Sequence, residues 1–153
     1  MRKRYLWVCV YILLTAFIFT RSLHTAEVST DESRFLVQFV ERIIRLFYNP
    51  TSVDITGIVT VVVRKVAHVV EFAALSCAAC RMVYAFGKKL RDFIAWVLFS
   101  GLLTACIDEA IQLTSPGRAG LISDVFIDFG GTILGICFTL ALIFINSKLR
   151  KKA

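Results

Sequence analysis

Charge is scarce in this 153-residue chain: only 19% of residues are Asp, Glu, Lys or Arg, against 58% hydrophobic. That balance is too apolar for an ordinary soluble domain of this length. Acids are scarcer than bases, 11 against 18, leaving a formal charge of +7. A basic balance can serve nucleic acid, but no basic stripe with interleaved aromatics is present, so nucleic acid is not an expected partner. Gly-x-Ser-x-Gly, P-loop and dinucleotide fingerprints are also missing, and no cofactor is expected. Five cysteines, Cys9, Cys77, Cys80, Cys106 and Cys137, lie in apolar segments and say nothing about disulfides. Cys77 and Cys80 have the spacing of a redox or zinc pair. Among Ala73, Ala74, Ala78 and Ala79 they read instead as small residues for helix packing.

What is abundant is apolar sequence in long runs. Crossing about 30 Å of hydrocarbon takes roughly 20 apolar residues as a helix. Residues 5–20, 66–86, 93–113 and 125–145 approach that length, which predicts an all-α, polytopic membrane bundle of about four transmembrane helices forming one domain. The first run follows Arg2-Lys3-Arg4, a pattern shared with signal peptides. Cleavage after Ala26 would put His24 at the small-residue position, so a membrane span fits better. Between spans one and two, residues 30–48 predict an extracytoplasmic amphipathic helix. Thr30-Asp31-Glu32-Ser33 supplies start chemistry, and Phe35, Leu36, Phe39, Val40, Ile43, Ile44 and Phe47 recur at helical spacing up to Asn49-Pro50. This helix either lies in the membrane interface or packs on the bundle. Ile55 to Val63 is β-branched and can lead as a helix into Arg64.

Basic residues before span one, at Lys88-Lys89-Leu90-Arg91 and at Lys148 to Lys152 place both termini in the cytoplasm by the positive-inside rule, with Arg81 snorkelling to the same surface. The outer ends of spans two, three and four then carry nearly all the polar residues of the hydrophobic half. These lie in Arg64 to Phe72, Asp108 to Gln112, and Arg118 to Asp128. A charge at membrane depth costs at least about 2.5–3.5 kcal/mol, so several are tolerable only facing one another or water. Asp108 and Gln112 lie about 40° apart on a helix, and Glu109 within about 60° of Gln112. Asp124, Asp128, Gly131 and Gly135 share one stripe, and a glycine stripe on a membrane helix faces a neighbouring helix. The turn at Thr114 to Gly120 returns Arg118 over the same pocket.

The order Arg-Lys-x-Ala-His-x-x-Glu-Phe, Asp-Glu-x-x-Gln-x-x-x-Pro-Gly-Arg, Ser-Asp-x-x-x-Asp-x-x-Gly-x-x-x-Gly resembles the VanZ-like family of bacterial membrane proteins, over residues 64 to 136. Phe72 stands where the family commonly has Tyr, and Asp128 where Asn is frequent, which makes this pocket more acidic. The resemblance implies a cell-envelope setting and an association with low-level resistance to the glycopeptide teicoplanin, with no reaction attached. The residues themselves allow acid/base work by His68, Glu71, Asp108, Glu109 and Asp124. Arg64, Lys65, Gln112, Arg118, Ser123 and Asp128 would bind an outer-leaflet lipid or lipid-linked cell-wall precursor. The alternative is a non-enzymatic module binding a lipid or protein, or a homodimer through the glycine stripe. In it, Lys65 clamps Glu71 or Asp108 and Arg118 clamps Asp124. His68 and Glu71 share a face that could hold a metal with nearby carboxylates, but a single histidine facing Lys65 and Arg118 leaves no metal assigned.

Overall fold

A computed structural model describes residues 2–47 and 54–150, and among them five helices and no strands. These are α1 (Arg2–Ser22), α2 (Ala26–Phe47), α3 (Ile55–Ala85), α4 (Leu90–Gln112) and α5 (Ile122–Arg150). Among the described residues, three helices are long and apolar enough to cross a membrane, over Arg4–Ser22, Leu90–Gln112 and Ile122–Leu149. The segment expected as span two lies in α3, which carries Arg64, Lys65, His68, Glu71 and Arg81 and packs against all four other helices. Residues 55–63 form its first turns, so the β-branched run does lead as helix into Arg64. Asp54 caps it by accepting from Gly57 N–H at 3.0 Å.

The amphipathic helix starts earlier than Thr30. Thr25 Oγ1 accepts from Val28 N–H at 3.3 Å and opens α2, while the hydroxyls of Thr30 and Ser33 turn back onto carbonyls of their own helix. The expected end at Tyr48 to Pro50 lies outside the described residues. Both expected placements of this helix have a physical basis. Val37, Val40 and Ile44 pack on Ile55, Val59 and Val63 of α3, while Phe35, Leu36, Phe39, Leu46 and Phe47 remain exposed.

Polarity is inverted relative to a water-soluble bundle. Leu13 of α1 and Phe126 of α5 are both 67% exposed, whereas Asp108, Asp128, Thr104, Thr132 and Thr139 are buried. Interior polar groups with an apolar rim suit hydrocarbon surroundings, where each buried polar group must be satisfied by the protein. Small residues close the seams. Gly131 of α5 faces the backbone of Val69, and Gly135 faces the Ala73 carbonyl and the Ser76 hydroxyl, so the glycine stripe meets α3 of the same chain. A homodimer would therefore need another surface. The Cys77 thiol donates to the Gly135 carbonyl at 3.3 Å, and all five cysteines are free.

The bundle is electrically asymmetric. One end gathers Arg4, Arg81, Lys88, Lys89, Arg91 and Lys148, with Arg81 stacked 5.3 Å over the Trp7 ring and Arg4 near Phe86. The opposite end holds the C-terminus of α1, the middle of α3, the end of α4 and the start of α5.

Candidate functional site

The three polar stretches, residues 64–72, 108–112 and 118–128, meet at that second end. Lys65 Nζ donates to Asp124 Oδ1 at 2.5 Å, and Ser123 Oγ adds a longer bond of 3.3 Å to the same oxygen. One α-helical turn further along α3, His68 Nδ1 lies 3.4 Å from Asp128 Oδ1 and 3.8 Å from Asp108 Oδ2. Gln112 Nε2 donates to Asp108 Oδ2 at 2.9 Å, the i,i+4 contact that their spacing on α4 implies. Arg64, Lys65, His68, Gln112, Asp124 and Asp128 line a cavity of about 40 Å³, room for one or two waters.

The expected ion pairs are exchanged. Lys65 takes Asp124, neither Glu71 nor Asp108, while Glu71 meets Arg21 of α1 at 3.4 Å. Glu109 turns away from the cavity and accepts from Leu121 N–H at 2.6 Å, holding the loop that enters α5. Its other oxygen, Oε2, is buried without a hydrogen bond. Arg118 does not pair with Asp124. Gly117, at φ +75°, closes the Ser115–Arg118 turn, in which Arg118 N–H donates to the Ser115 carbonyl. Its guanidinium comes within electrostatic reach of Arg64, Arg21, Asp108 and Glu109. Nε and Nη1 are buried without hydrogen bonds. Burial, and then the neighbouring Arg64 charge, push the Arg118 guanidinium below its ordinary range.

The sequence did not point to the contribution of α1 and α2. Ser22 Oγ donates to Asp108 Oδ1 at 2.5 Å, and Ser115 Oγ donates to the Ser22 carbonyl at 2.8 Å. Arg21 bridges Glu71 to Glu32 of α2, the latter at 3.3 Å, and His24 lies 3.1 Å from Glu32. A second cavity of about 150 Å³ results, lined by Arg21, Glu32, Arg64, His68, Glu71 and apolar Leu36 and Val63. The two cavities share Arg64 and His68. The one available signal was that Arg21-Ser22 ends an apolar run on the same side as the other polar stretches. Farther along α2, hydrogen bonds from Arg45 and then Thr56 hold the Glu41 carboxyl below its usual range, tying α2 to the start of α3.

No curated protein and no solved structure matches the chain. A family model described as VanZ/LLP1 matches residues 7–145. The match takes in α1, the amphipathic helix and all three polar stretches, well beyond the motifs of residues 64 to 136, and the chain belongs to the VanZ/LLP1 family.

Proposed function

We propose that this protein binds the anionic headgroup of an outer-leaflet lipid or lipid-linked cell-wall precursor, and thereby lowers susceptibility to glycopeptides such as teicoplanin. In this reading α1, α3, α4 and α5 cross the cell membrane with both termini in the cytoplasm, and the polar end faces outward. The observation that carries it is half-buried Arg118, whose Nε and Nη1 are buried and unpartnered within electrostatic reach of Arg64 and Arg21. A guanidinium stays charged and its fork fits phosphate in two bonds at once. The 150 Å³ cavity, walled by the Arg118 neighbours Arg21 and Arg64, pairs charge with Leu36 and Val63, and the exposed apolar face of α2 lies alongside. This is the chemistry of a headgroup joined to acyl or prenyl chain. Acid/base work on the bound molecule by His68 would follow the same placement, since His68 opens onto both cavities. The bonds Lys65–Asp124 and Arg21–Glu71 favour the second reading for those four residues, as ties between helices.

Native mass spectrometry of the purified chain tests this with phosphatidylglycerol, a polyprenyl phosphate and phosphatidylcholine. The two phosphate-charged lipids should be retained over the zwitterion. Arg118→Lys keeps the charge but loses the fork, and should weaken that retention roughly tenfold, the worth of one charge-assisted bond. Expression of the wild type should raise the teicoplanin concentration that cells survive, and Arg118→Lys should not. Equal retention of all three lipids would overturn the reading.

Orientation has its own test. In a cysteine-free background, Ala119→Cys and Ser147→Cys place exposed thiols at opposite ends of the bundle. An impermeant thiol reagent added to intact cells should label position 119 and spare position 147. The reverse pattern would turn the site to the cytoplasm and remove its access to the outer leaflet.

A further inference from the structure

We propose that His68, Asp108 and Asp128 form a binding site for one divalent transition-metal ion, Zn²⁺ or Mn²⁺. The site is built by three helices and does not rest on headgroup binding. One ligand atom from each residue lies within 4.8 Å of the other two. The separations of 3.4 and 3.8 Å from His68 Nδ1 exceed the 2.7–3.2 Å of ordinary N–H···O bonds. They are close to the roughly 3.0–3.4 Å that separates ligands held about 2.1 Å from one ion. The groups surround a point in space more than they bond each other.

Asp128 supplies the second observation. Its side chain is 2% exposed, it lines the 40 Å³ cavity, and its Oδ2 is buried with no hydrogen-bond partner. An ionised carboxylate oxygen left unpartnered in a membrane protein's interior is costly, and a cation satisfies it. Asp108 is oriented by two neighbouring donors. Ser22 donates to its Oδ1 and Gln112 to its Oδ2, the kind of support that fixes metal-binding carboxylates. Two carboxylates neutralise a divalent ion, and one imidazole with two carboxylates suits a borderline metal. The adjoining cavity leaves room for water at the remaining positions. The positive charges that seemed to oppose a cation are occupied or displaced. Lys65 is held by Asp124, and Arg118, in the loop after α4, does not line the cavity.

The full-length chain, purified in detergent and stripped with a chelator, is dialysed against ZnCl₂ or MnCl₂ and its metal content measured. The wild type should take up one ion per chain saturably. His68→Gln and Asp128→Asn should each weaken uptake about 10–100-fold or more, and Ser22→Ala about tenfold, through Asp108. Asp31→Asn, in an exposed pair with Arg34, should bind as wild type. Arg118→Lys should keep the metal while losing lipid retention, which separates this site from the headgroup reading. Absence of saturable uptake by the wild type overturns the proposal, whether or not the variants fold. Unchanged uptake by both His68→Gln and Asp128→Asn overturns it equally.

Discussion

Gly135→Val should leave little folded protein in detergent, with a loss of stability above about 3 kcal/mol, beyond the usual cost of overpacking. Gly135 is buried where α5 comes closest to α3, and a Cβ there would press on the Ala73 carbonyl and the Ser76 hydroxyl. A carbonyl belongs to the helix itself and cannot rotate aside as a side chain can. The Gly135 carbonyl also receives the Cys77 thiol of α3 at 3.3 Å, so moving α5 outward breaks that bond too. One turn earlier, Gly131 meets the Val69 backbone in the same way, so the seam has no slack on that side. Gly130, only five positions before Gly135 on the same helix, has nothing within 4 Å of its Cβ position. Gly130→Ala should therefore be neutral or stabilising by up to about 1 kcal/mol, from helix propensity alone. Thermal melts of the two variants followed by fluorescence-detected gel filtration check the contrast. Equal melting temperatures would show that the α3–α5 approach is looser than the glycines imply.

That seam was readable in the sequence because it depends on a period. Asp124, Asp128, Gly131 and Gly135 fall on one face by helical geometry alone, and a face of glycine and carboxylate on an apolar helix has to meet protein. The convergence of three polar stretches followed from the cost of leaving charges in hydrocarbon. Which charge meets which was a different matter. Sliding one helix past another by a single turn, about 5.4 Å, changes every partner while leaving each helix's own pattern intact. Lys65 accordingly found Asp124, and His68 fell between Asp108 and Asp128. Arg21 and Ser22 were invisible for the same reason. Ser22 reaches Asp108 across 86 positions of chain, and nothing local to either residue marks that bond. The start of α2 was misplaced because four hydroxyl or acid residues at 30–33 outweighed a lone Thr25, which is the residue that caps.

The second large effect is expected at Asp108. Its side chain is completely buried, its Oδ1 accepts from Ser22 at 2.5 Å and its Oδ2 from Gln112 at 2.9 Å. It thereby ties the end of α1 to α4 and presents a carboxylate to His68 on α3. Asp108→Ala removes the acceptor and leaves both donors buried. Each orphaned group costs about 1–3 kcal/mol, and loss of one partner from a buried charged network about 3–5 kcal/mol. A comparable loss is therefore expected, read as a strongly lowered melting temperature in detergent. Asp108→Asn should be milder. The amide oxygen can still accept from Ser22, and the Gln112 amide can turn to present its oxygen to the new NH₂ group. What Asn cannot restore is the negative charge beside His68. Asp108→Asn at near-normal abundance should therefore lose metal uptake and the teicoplanin phenotype together. If the phenotype instead tracks protein level in both variants, Asp108 serves only to hold α1 against α4, and the chemistry of the pocket falls to the residues around it.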